Sequence, residues 1–110
     1  MEFRITVPIL SIFAVMLQGP SEEWYGLEIA EQAGLKTGTL YPALLRLEKA
    51  GVLDSRWEDV EPSEVGRPRR RLYRFTAEGE VVARDARASV QWLGEERGPR
   101  ASATPKVRRT

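Results

Sequence analysis

The chain contains no histidine and no cysteine. Imidazole bases, thiolate nucleophiles, disulfides and the usual zinc ligand sets are therefore excluded. What it offers instead is arginine: Arg67, Arg69, Arg70, Arg71 and Arg74 are interrupted only by Pro68, Leu72 and Tyr73. A guanidinium is a planar fork of donors that matches phosphate and carboxylate oxygens, so the chemistry available here is anion recognition. A second set, Lys36, Thr37, Thr39 and Tyr41, stands at the start of a Leu-rich segment. The free N–H groups of a helix start also favour an anion. Catalysis would have to rest on carboxylates alone. Glu22/Glu23 and Asp59/Glu61/Glu64 read as solvated helix-start and loop charges, so neither enzyme activity nor a cofactor or metal is expected.

At 110 residues, 42% hydrophobic and 30% charged, the chain has room for one ordinary globular domain and no second catalytic one. The net charge of +1 hides an asymmetry. Residues 1–66 hold 5 Lys/Arg against 11 Asp/Glu, a net −6, whereas residues 67–110 hold 12 against 5, a net +7. An anionic partner responds to that local field rather than to the sum. The lack of cysteine is compatible with a reducing cytoplasm, the expected location.

These groups need elements to position them. The apolar run from Ile5 to Leu17 is too short for a membrane span. As a secretory leader it lacks a small-x-small cleavage site, and Glu2 offsets Arg4. It reads as a buried first helix, capped by Thr6, with Pro8 in its first turn and Gly19-Pro20 ending it. Being apolar almost all round, it is either shared between a small core and a subunit interface or buried in the core alone. Ser21 can cap a second helix that stops at Gly34; alternatively that helix starts at Tyr25 or Gly26. Gly26 inside it points to a close backbone approach.

The third helix begins between Thr37 and Thr39, either of which can cap it. It carries Leu40, Leu44 and Leu47 on one side, with Leu45 widening the stripe, and ends at Gly51. Val52–Glu58 and Arg69–Phe75 then read as two strands joined by a polar loop containing Pro62, Gly66 and Pro68. Alternation puts Tyr73 and Phe75 on one face and Arg70, Leu72 and Arg74 on the other. The acidic half of the loop (Glu58, Asp59, Glu61, Glu64) offers the arginines a partner within the hairpin. Duplex DNA is the other anion that would meet them. Gly66-Arg67-Pro68 also has the form of a minor-groove hook, which sends Arg67 toward DNA.

Thr76 caps a last helix running to about Glu96, with Val82, Ala86, Val90 and Leu93 along one side and Trp92 beside them. That stripe serves either a partner helix or the first helix of the same chain. Residues 98–110, with four basic and no acidic residues and two prolines, are expected to form a disordered basic tail. The expected fold is α+β, mostly α: a winged helix-turn-helix over 1–76, a dimerisation helix over 77–97, then the tail.

Taken together, these residues resemble the PadR family of bacterial transcriptional regulators, from about Leu10 to the end of the last helix. The marks are Tyr25-Gly-Leu-Glu-Ile29, Gly38-Thr-Leu-Tyr-Pro42, Arg46-Leu-Glu-Lys-Ala-Gly51, Trp57-Glu58 and Pro68-Arg-Arg-Arg-Leu-Tyr-Arg-Phe-Thr-Ala-Glu-Gly79. The resemblance implies a homodimer that represses from a pseudo-palindromic operator and answers to small hydrophobic or aromatic compounds near the dimer interface. It implies DNA contacts from Tyr25, Lys36, Thr37, Thr39, Tyr41, Arg46, Gly66, Arg67, Arg69, Arg70 and Arg71. The dimer interface would take Ile9, Phe13, Val82, Ala86, Val90, Trp92 and Leu93. Leu72 departs from the family, standing where many members have a second aromatic beside Tyr73, and the acidic wing segment is long. The competing expectation is a winged-helix protein-interaction module whose arginines meet an acidic partner.

Overall fold

The computed structural model describes the backbone of residues 3–101 and the side chains of residues 3–90. Helix α1 (Val7–Met16) starts where Thr6 Oγ1 accepts from the Ile9 N–H at 3.3 Å, with Pro8 in the first turn. Its apolar surface is used on several sides at once: Ile9, Ile12, Phe13, Val15 and Met16 are buried, and α1 packs on α2, α3 and α5 of the same chain.

Of the two starts expected for the second helix, the later one holds. Ser21 caps nothing; Trp24–Tyr25 forms a short strand, β1, and α2 (Gly26–Ala33) follows it directly. Trp24 is buried and its indole N–H donates to the Gly19 carbonyl at 3.2 Å, which draws the backbone out into extended form. The Glu28 carboxylate accepts from the Tyr25 N–H at 3.4 Å at the new helix start. Gly34 closes α2 in the left-handed region at φ 69°, where a β-carbon would be strained.

Helix α3 (Thr37–Lys49) begins at the expected place with a different cap. Lys36 is the cap residue, and no side chain, Thr37 and Thr39 included, accepts from its first N–H groups. Leu40, Ala43, Leu44 and Leu47 are buried as the spacing requires. Leu45 does not widen that stripe: it points outward and is 52% exposed.

The sheet order is β1-β3-β2, all antiparallel. Strand β2 (Leu53–Trp57) and β3 (Arg71–Phe75) pair Leu53 with Phe75, Ser55 with Tyr73 and Trp57 with Arg71. Tyr73 and Phe75 face the core. The connecting loop holds an unexpected single turn of helix, α4 (Pro62–Val65), closed by Gly66 at φ 73°. Proline at the first helical position and glycine past the last are the local reason it forms.

Helix α5 (Ala77–Ala101) is capped by Thr76, whose Oγ1 accepts from the Gly79 N–H at 2.8 Å and donates to the Gly51 carbonyl at 2.7 Å. Gly79 sits directly on the Val52 backbone: a β-carbon there would lie 1.9 Å from the Val52 carbonyl oxygen. The helix therefore enters at a distance only glycine allows. It continues past Glu96, so residues 98–101 are helical rather than part of a tail; residues 102–110 lie outside the described residues. Among the described residues no helix is long and apolar enough to cross a membrane.

Candidate nucleic-acid interface

The wing arginines meet aromatic side chains of α3 and of the α2 start at one cleft. Lys36, Thr37, Gly38 and Thr39 are all exposed at the amino end of α3, where the first N–H groups have no side-chain partner. Those groups carry the positive end of the helix dipole. Beside them the β2–β3 hairpin forms a wing, and between wing and helices lies a cleft of about 640 Å³. Tyr25 and Leu27 of the α2 start, Tyr41 of α3, Trp57, and Arg69, Arg70 and Arg71 of the wing line it. Gly26 makes this closeness possible: a β-carbon there would lie 2.6 Å from the Tyr41 hydroxyl oxygen. Arg46 is exposed farther along α3.

The wing arginines divide into two kinds. Arg67 forks onto Glu58 through two hydrogen bonds of 2.7 and 3.1 Å, and Glu58 also accepts from the Arg70 N–H at 3.1 Å. The Arg67 guanidinium, reinforced by that N–H, pulls the Glu58 carboxyl down to about 2. Arg71 donates to Ser55 Oγ at 3.0 Å, lies 3.9 Å from the Glu48 carboxylate and stacks at 5.0 Å from the Trp57 ring. Ser55 in turn donates to Glu48, which ties the wing base to α3.

Arg69 and Arg70 are held differently. Arg69 Nε donates to the Val60 carbonyl at 2.9 Å, and the Arg70 guanidinium lies 4.1 Å above the Tyr25 ring. Neither forms a salt bridge among the described residues. Carbonyl and π-face contacts orient a guanidinium without neutralising it. Arg67 thus takes the alternative held for the hairpin: it is the most thoroughly paired of the wing arginines, and its partner Glu58 comes from the acidic half of the loop. Gly66 serves to close α4 and is itself exposed.

Residues 15–85 match the transcriptional regulator PadR-like family. The chain belongs to that family. The solved structure of a PadR family transcriptional regulator from Eggerthella lenta DSM 2243 is 28% identical with a TM-score of 0.64, over 84% of this chain and 82% of that one. A PadR family transcription regulator from Clostridium difficile R20291 is 27% identical with a TM-score of 0.64, over 80% and 93%. The PcaV transcriptional regulator from Streptomyces coelicolor, solved in complex with its natural ligand, is 25% identical with a TM-score of 0.60; the match covers 83% of this chain and 62% of that one. No curated protein matches the sequence. As a PadR-like chain this is a DNA-binding transcriptional regulator with a winged helix fold, and PadR family regulators are not enzymes.

The residues expected at a PadR-type dimer interface are scattered by the structure. Ile9 and Phe13 are fully buried within one chain, so they have no surface to give a partner; on α1 the exposed apolar residue is Val7. Val82 and Ala86 are half-buried against the chain's own core, and Ala83, which the spacing did not single out, is fully buried there. Val90 is exposed. The side chains of Trp92 and Leu93 lie outside the described residues.

Proposed function

We propose that this PadR-like regulator acts in the cytoplasm as a homodimeric repressor on a pseudo-palindromic operator. Each protomer sets the amino end of α3 in the major groove while Arg69 and Arg70 of the wing grip the adjacent backbone. The observation that supports the reading is the shared cleft, where Tyr25 at the α2 start, Tyr41 in the second turn of α3 and Arg69 and Arg70 of the wing come together. Dimerisation through α5, helped by α1, is supported by exposed Val90, which continues the line of Val82 and Ala86 on a helix of 25 residues, about 37 Å long at the usual rise. A small hydrophobic or aromatic effector near that interface releases the operator in this reading; the ligand-bound PcaV neighbour supports only that a regulator of this fold takes a ligand.

Selection of the purified protein on a random duplex pool at two salt concentrations tests this. A two-fold symmetric motif with half-sites about one helical turn apart is expected, roughly 34 Å. The internal pairing of Arg67 and Arg71 favours the second reading, an interaction module, since it lowers the charge left for phosphates. Motif-free binding that vanishes at modest salt would move that reading ahead.

A further inference from the structure

The outward side of α3 is apolar at its centre. At about 3.6 residues per turn, Gly38, Pro42 and Leu45 follow one another opposite the buried Leu40, Ala43, Leu44 and Leu47. Leu45 stands on that side 52% exposed, outside the filled core stripe. None of the three central residues has a side-chain hydrogen-bonding group. Gly38 has open space around its α-carbon, so the backbone can approach a partner closely. Polar and cationic groups lie to either side, Thr39 and Arg46 along one edge and Tyr41 and the wing cleft along the other, and exposed Lys49 ends the central line one turn beyond Leu45.

A helix with charges at its edges and methyl groups along its centre matches the major groove in one particular way. The edges meet the two phosphate walls and the centre meets the floor. On that floor the only apolar group is the C5-methyl of thymine; every other feature is a donor or an acceptor. We infer that Leu45 reads a thymine methyl group in each half-site, with Pro42 packing beside it. Sequence preference then resides in apolar contact at Leu45 rather than in hydrogen bonds from Thr37 or Thr39, which stand at the helix start. This inference rests on the DNA-binding reading above.

The test is a two-by-two comparison on the duplex recovered by selection. Wild type and Leu45→Ala are each titrated on the recovered duplex and on the same duplex with the half-site thymines replaced by deoxyuridine, which removes only the methyl groups. Wild type is expected to bind the uracil duplex about fourfold more weakly per half-site, the worth of one methyl kept from water, and about fifteenfold over two. Leu45→Ala is expected to bind both duplexes equally; being exposed, the position tolerates the change without loss of fold, which a circular dichroism melt checks. Equal sensitivity to uracil in both proteins gives the methyl contact to another residue and overturns the assignment. A specific motif indifferent to uracil overturns the inference while leaving the DNA-binding reading intact. Failure to recover any motif overturns both.

Discussion

Replacing wing arginines one at a time separates those that face outward from those consumed within the protein. Arg70 is oriented by the Tyr25 ring at 4.1 Å and has no carboxylate partner among the described residues, so the proposed complex has it neutralise a phosphate. Each phosphate neutralised contributes about −0.9 to the slope of log affinity against log salt. A dimer loses two such contacts in Arg70→Ala, so its slope becomes shallower by about 1.8. Between about 50 and 200 mM salt, wild type therefore loses roughly twelvefold more affinity than the variant.

Arg67→Ala removes a guanidinium already committed to Glu58 at 2.7 and 3.1 Å and is expected to leave the slope unchanged. Glu58→Gln releases Arg67 and steepens the slope, by about 0.9 for each phosphate gained. Fluorescence anisotropy titrations at four or five salt concentrations on one duplex read all three. An Arg67→Ala slope reduced as much as that of Arg70→Ala would refute the division, because it would mean that the Glu58 clasp opens on DNA.

Three further outcomes follow from particular contacts. Gly79→Ala places a β-carbon 1.9 Å from the Val52 carbonyl and is expected to destabilise the fold by about 1–3 kcal/mol or more, as overpacking against backbone does; an unchanged melting temperature would contradict the packing of α5 on the Val52 backbone. The Glu58 carboxyl is held at about 2, below its ordinary value of 4.5, so its clasp on Arg67 persists below 4.5 and opens as pH falls through about 2, while the stability it contributes is full above 4.5 and fades over the interval between. Wing resonances followed by NMR should report that opening, and Glu58→Gln should abolish the transition. Val90→Glu introduces a charge at a 45% exposed position of α5 and is expected to shift the protein toward monomer in sedimentation without lowering its helix content; a dimer of undiminished affinity would remove Val90 from the interface.

Local signals in the sequence carried most of the architecture. Thr6 and Thr76 cap helices because each acts three residues ahead of its own position, and the α3 leucines and the alternation of Tyr73 and Phe75 report burial directly. The misses are non-local. Strand β1 exists only because Trp24 and Tyr25 find Tyr73 and Leu72 on β3, far along the chain, while the Trp24 indole reaches back to Gly19. A helix as uniformly apolar as α1 says that it is covered without saying by what, so Ile9 and Phe13 were assigned to a partner and belong to the core.

Leu45 shows the reverse: its hydrophobicity gave no sign that it faces outward, though its place off the Leu40–Leu44–Leu47 line did. Within the candidate site, the grouping of Tyr25, Tyr41 and the arginines followed from family resemblance and charge. The division of labour among the arginines depended on Glu58 and Glu48 reaching across the hairpin and onto α3.

In the proposed complex the start of α3 lies in the major groove twice per dimer, one helical turn apart. Because the chain has no cysteine, a single Thr39→Cys carries a DNA-cleaving iron chelate to that point alone. On the duplex recovered by selection, the account predicts two clusters of strand cuts related by two-fold symmetry and separated by about one turn, roughly 10 base pairs. The same reagent on exposed Gln32 of α2 provides the control. Cleavage from Thr39→Cys that is uniform along the duplex, or no stronger than from Gln32→Cys, would contradict it.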